Sequence, residues 1–306
     1  MASLRHTRRR RSLRGHTSFI AFLFLFPFML LFVVFRAGPV LAALGLSFTS
    51  YDVLSPPTWV GPYNYANILF GTEAATRLFW RSIANTLYFT AGQVGFEMIC
   101  GLALAMLVNA RLLKAKSLWR VFFYTPVVTS LVASSMIWLW LYHPEAGFLN
   151  AILKGLGLPT LKWLESTTLA MPSIILMAVW QGAGWSMVIY LAGLQGIPES
   201  LYEAARIDGA NSWQQFWRVT LPLLMPVTLF IVIMSCISSL QVFSQVFVMT
   251  QGGPLNSTIT VTYHMYLNAF RFYRLGYASA MSFLLFLVIL AISVLNNRIF
   301  GGRIEY

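Results

Sequence analysis

The sequence predicts an all-α, polytopic membrane protein with about six transmembrane helices, and three observations carry that prediction. First, 58% of the 306 residues are hydrophobic and 10% are charged, against about 45–50% and about 25% in an ordinary soluble domain. Second, the apolar residues gather into six continuous runs, each long enough to cross about 30 Å of hydrocarbon as a helix. Third, no run shows the alternating ten-residue pattern of a membrane β-strand, so helices rather than a closed barrel satisfy the backbone. A soluble enzyme with one buried core is excluded, because a globule of this size cannot hide so much apolar surface.

The first run, Ser18–Phe35, continues toward Leu46 and follows Arg5, Arg8, Arg9, Arg10, Arg11 and Arg14. A basic head before an apolar stretch also describes a signal peptide, but this stretch is long for one and further spans follow it. The second run is Ile83–Val108, the third Val121–Leu141 and the fourth Leu169–Leu194. The fifth is Leu221–Met249 and the sixth Tyr277–Val294. Between them, residues 47–82 hold Pro56, Pro57, Pro62, Trp59 and Trp80, which reads as a structured outer cap with interfacial aromatics. Residues 142–168 read as a second outer segment, and Gln251-Gly252-Gly253-Pro254 turns the chain beyond the fifth span.

Basic residues orient the spans. With the N-terminus inside, segments 1–17, 109–120, 195–220 and the tail from Leu295 hold six, four, two and two Lys or Arg, 14 of the 21. The reverse orientation would leave the Arg-rich head outside. The expectation is a multi-pass protein of the prokaryotic plasma (inner) membrane with both ends cytoplasmic. It has a basic tail 1–17, a six-span domain 18–300 and a short tail 301–306. The net charge of +12 is then set by topology and anionic lipid head groups, not by nucleic acid.

Much familiar chemistry is absent from the sequence. There is no G-x-x-x-x-G-K-[ST] phosphate loop and no H-E-x-x-H, and His6, His16, His143 and His264 are scattered. Cys100 and Cys236 sit in apolar runs and read as small buried hydrophobes. No enzyme and no metal or cofactor site is expected in this chain. Glu97 is the only acidic residue deep in a span, too little for the relay an ion-coupled carrier needs. It reads either as a hydrogen-bonded link to a neighbouring helix or as a gating or substrate group.

The most informative stretch is the inner loop 198–220, PESLYEAARIDGANSWQQFWRVT. Pro198 and Glu199 suit a helix start, and Gly209 suits a left-handed C-cap. A second short helix starts at Ser212, with Gln215 three positions on as a capping box. Ala204 and Ala205 leave a bare patch flanked by Glu203 and Asp208, which favours a protein partner over a lipid surface, where Lys and Arg would dominate. Glu203-Ala204-Ala205, three residues, Gly209, nine residues, then Val219-Thr220-Leu221-Pro222 resembles the E-A-A-x3-G-x9-I-x-L-P signature of permeases in binding-protein-dependent ABC importers. The single departure is Val for Ile. The surrounding LAGLQGIPESLYEAARIDGA is similar to the carbohydrate-uptake branch, of maltose and glycerol-phosphate type.

The resemblance implies a transport subunit in which loop 198–220 is a coupling helix seated in a cytoplasmic ATPase. Glu203 would pair with a basic residue there, with Ala204, Ala205, Asp208 and Gly209 completing the contact. The implied partners are a second six-span permease, two ATPase subunits holding ATP and Mg, an extracytoplasmic solute-binding protein, lipid and a small solute. The solute implied is a sugar, with glycerol-3-phosphate or a glycerophosphodiester as the alternative and an ion-coupled secondary carrier as the competing class. For the solute path, Ser235, Ser238, Gln241 and Gln245 fall within an arc of about 120° on one helix. Trp180, Gln181 and Trp185 of the fourth span could stack on or bond to a sugar. All these types also serve as contacts between helices.

Overall fold

A computed structural model describes residues 22–301 apart from 73, 111 and 112. The Arg-rich segment 1–17, residues 18–21 of the first expected span, Arg111 and residues 302–306 lie outside the described residues.

Among the described residues, four helices are long and apolar enough to cross a membrane alone: α1 (Phe22–Ser47), α3 (Ala74–Asn109), α7 (Ala170–Gln195) and α13 (Leu275–Gly301). Two bent pairs bring the number to as many as six if each pair is one span. These are α4 (Lys116–Val128) with α5 (Leu131–Leu141), bent by 97°, and α9 (Ser212–Leu223) with α10 (Met225–Leu240), bent by 63°. Shorter helices complete the chain: α2 (Tyr63–Phe70), α6 (Phe148–Gly155), α8 (Glu199–Ile207), α11 (Ser244–Met249) and α12 (Val261–Tyr266). The only strands among the described residues, β1 (Thr49–Ser50) and β2 (Thr58–Trp59), pair antiparallel with Thr49 opposite Trp59.

Two expected rods are therefore broken. Val121–Leu141 is not one helix, because Pro126 has no N–H to donate and Thr129 and Ser130 turn extended. Side chains meet groups freed at the break: Thr129 Oγ1 donates to Pro126 O at 2.7 Å, and Gln181 Nε2 of α7 donates to Thr129 O at 3.3 Å. The run Leu221–Met249 breaks twice. Pro222 and Pro226 withhold donors at the α9–α10 bend, and α10 ends at Leu240 before α11 resumes at Ser244. Past that end, Thr260 Oγ1 donates to the Val242 carbonyl at 3.1 Å.

The bundle is built around α3 and α7. Buried Phe89, Ala105 and Val108 of α3 meet Ile174, Met177, Met187 and Tyr190 of α7. In lipid, close packing and hydrogen bonds, not water exclusion, hold such a pair. Of the best apolar window in α7, 61% is buried, against 0% in α1, so α7 is the central rod and α1 lies at the periphery. The described residues of segment 47–82 are ordered, as expected. Asn64 Nδ2 donates to Ser47 O and Thr49 O, both at 2.9 Å, and Leu275 N–H donates to Tyr51 O at 2.9 Å, tying the segment to α13. In segment 142–168, fully buried Asn150 bonds Pro144 O, both backbone groups of Leu161 and Trp163 Nε1 at 2.8–3.1 Å. Helix α12, between the fifth and sixth spans, was not foreseen from the sequence.

Candidate functional site

The polar loop after α7 folds as two short helices. In α8, Pro198 is the N-cap, Glu199 stands in the first turn and Arg206 in the last, as the helix dipole favours. No residue of α8 is buried. Its end is a Schellman turn. Ala210 N–H donates to Ala205 O at 2.9 Å and Gly209 N–H to Arg206 O at 3.1 Å, with Gly209 at φ +77°. The expected capping box lies one residue earlier than Ser212 and Gln215. Asn211, extended at ψ 170°, is the residue just outside the helix. It exchanges two 2.9 Å bonds with Gln214.

Glu203, Ala204 and Asp208 are exposed, Ala205 is half-buried, and neighbouring Ile207 is 86% exposed. The bare alanine patch is thus open, with a carboxylate on either side. The Glu199–Arg206 pair, at 3.0 Å and about half exposed, adds little stability. Tyr202 Oη meets Thr220 Oγ1 at 3.0 Å, fastening α8 to the last turns of α9 just before the 63° bend.

The second constellation lies within the bundle, where α3, α7 and α10 meet. Glu97 of α3 is 3% exposed. Its Oε1 accepts from Ser186 Oγ of α7 at 2.6 Å and Ser235 Oγ of α10 at 3.2 Å, and its Oε2 accepts from Gln93 Nε2 at 3.4 Å. Gly182, one turn before Ser186, makes room: a Cβ there would stand 2.8 Å from Glu97 Cδ. Beside the carboxylate is a cavity of about 330 Å3, at the small end of ligand-sized clefts. Gln93, Glu97, Gly182 and Trp185 form one wall, and Met234, Ser235 and Ser238 of α10 the other.

So Glu97, Trp185, Ser235 and Ser238 come together, while the arc of four on one helix does not form. Its geometry assumed an unbroken fifth helix, and α10 stops at Leu240. Gln241 is exposed just past that end, and Gln245 is buried on α11. Gln181 turns instead to the α4–α5 bend, and Trp180 packs on Trp138 at 5.7 Å. Trp180 also lines a larger, apolar cavity of about 670 Å3, together with Phe122, Phe123 and Pro126.

Residues 97–305 match the family described as the binding-protein-dependent transport system inner membrane component. That stretch includes the exposed loop and most of the cavity wall. The chain belongs to this family. Among its relatives, the lactose transport system permease protein LacF of Rhizobium radiobacter is 34% identical over 301 residues, covering 95% of this chain and 97% of LacF. The trehalose/maltose transport system permease protein MalF of Thermococcus litoralis is 33% identical over 284 residues, covering 92% and 93%. The fold is also that of a crystallised bacterial ABC transporter involved in importing the acidic polysaccharide alginate. That likeness has a TM-score of 0.82 at 23% identity and covers 97% of this chain and 100% of the other.

As a permease of this family, the chain carries its polar groups sparingly, and sequence reading missed Gln93 and Gly182 in the cavity wall and Ser186, which holds the carboxylate behind it. Gln93 stands four residues before Glu97, and Gly182 four before Ser186, so each pair shares a helix face. That spacing is the signal that could have found them.

Proposed function

We propose that this permease forms the translocation path for a sugar in an ATP-driven importer, both ends of the chain being cytoplasmic. Loop 198–220 is its coupling element. Glu203 pairs with a cation of a partner ATPase, Ala204, Ala205 and Gly209 allow close seating, and Asp208 borders the contact. ATP and Mg are bound by the two ATPase subunits, a second six-span permease completes the pore, and an extracytoplasmic binding protein delivers the solute. The observation that carries the reading is the exposed Schellman-capped helix, with its alanine patch open and Tyr202 fastening it to the fifth span. The names of the LacF and MalF relatives support a sugar as solute.

In this reading Glu97, Trp185, Ser235 and Ser238 line the solute path. Hydroxyl and carboxylate groups would meet sugar hydroxyls, and the indole of Trp185 would cover an apolar ring face. The test is uptake of labelled lactose, maltose and trehalose by vesicles containing the chain with its partner permease, ATPase and binding protein. Uptake that requires ATP and vanishes without the ATPase is expected. Uptake independent of the ATPase would overturn the reading in favour of a secondary carrier.

A further inference from the structure

We infer that Glu97 makes the cavity selective for uncharged solutes, so that phosphate esters and uronates are refused at this point. The inference rests on the reading of the cavity as the solute path. Its walls contain one acid and no Lys, Arg or His. Glu97 is held by two serine hydroxyls and one amide. Oε1 takes the two short bonds, and Oε2 keeps only the 3.4 Å contact to Gln93. Oε2 is therefore the oxygen with capacity for a solute hydroxyl.

An anion brought beside it would meet an acidic side chain and, in a low-dielectric setting, no cation in the walls to offset the loss of its water. A neutral polyol meets the opposite conditions, since it donates to Oε2 and to Ser238 and buries its ring face on Trp185. The chain thus differs in expected cargo from the alginate importer whose fold it shares, whose cargo is acidic. The glycerol-phosphate alternative is disfavoured on the same ground.

The experiment uses the importer, purified with its partner subunits in nanodiscs, and saturation-transfer NMR with lactose, maltose and trehalose. Glucose 6-phosphate and glucuronate are the charged probes. Wild type should bind at least one neutral sugar at least tenfold more tightly than either anion. Glu97→Gln, which keeps shape and hydrogen bonding, should raise the anion-to-neutral affinity ratio at least tenfold. Ser238→Lys, on the exposed wall, should raise it independently and covers the case in which Glu97→Gln does not insert. An unchanged ratio in the variants that insert, while Trp185→Ala still weakens sugar binding, sinks the selectivity but leaves the path intact. No binding of any neutral sugar, with Trp185→Ala equally silent, overturns the path and the selectivity together.

Discussion

The hydroxyl of Ser186 donates to Glu97 Oε1 at 2.6 Å and thereby joins α7 to α3 at the centre of the bundle. Interhelical hydrogen bonds in lipid average about 0.6 kcal/mol, and the strongest reach about 1.7 kcal/mol. Ser186→Ala should therefore lower stability by about 1–2 kcal/mol, read as a fall in the thermal midpoint in nanodiscs. Gly182→Ala should act on the same pair from the other side, since its Cβ would press on Glu97 Cδ. If both variants melt like wild type, the carboxylate is not pinned by these groups.

Glu203→Lys should reduce ATP-driven uptake to background while leaving insertion unchanged, because the residue is exposed and supports no core contact. Membrane-fraction yield and ATPase co-purification separate the two effects. Normal transport by this variant would remove Glu203 from the coupling contact.

Gly209 holds φ +77° at the end of α8, a conformation that costs an L-residue about 1–2 kcal/mol. Gly209→Val should fray residues 205–210 and weaken ATPase binding, whereas Gly209→Asn should stay close to wild type. Hydrogen exchange of the Ala210 amide, which donates to Ala205 O, reports the fraying directly. Equal protection in all three proteins would contradict the cap.

Affinity for the transported sugar should fall at least tenfold in Trp185→Ala and several-fold in Ser238→Ala. Gln241→Leu should leave it unchanged, because Gln241 lies past the end of α10 and outside the cavity. The opposite ranking would move the solute path from the α3–α7–α10 junction to the broken end of the fifth span.

Hydropathy placed the apolar helices, and capping chemistry placed both short helices of loop 198–220. It did not reveal the bends. A run such as Val121–Leu141 reads as continuous because Pro126, Thr129 and Ser130 are outvoted by their apolar neighbours. Whether a proline bends or breaks a helix depends on who satisfies the freed carbonyls, here Gln181 from a distant helix. The polar arc failed for a related reason: a fixed rotation per residue holds only while the helix lasts. Glu97 was visible as an isolated acid, but its two serine partners lie 89 and 138 residues away in sequence. Only the fold brings them together.

Asn150→Ala should loosen segment 142–168 at a cost of about 2 kcal/mol, because one side chain supplies four bonds to otherwise unsupported backbone and indole groups. Faster cleavage near residues 156–160 by added protease is the expected sign. Unchanged resistance would mean that Tyr142 and Trp163, 5.4 Å apart, hold the segment without it.

The 63° bend between α9 and α10, with Tyr202 clamped to Thr220 just before it, makes this stretch a bell crank. Prolines at the pivot leave it the softest point of the arm. In the proposed coupling, a sideways stroke on α8 would emerge as a tilt of the helix that bears Ser235 and Ser238. The grip on the solute and the drive from the proposed ATPase would then share one lever, so any change of gearing at the pivot would alter how firmly the cargo is held.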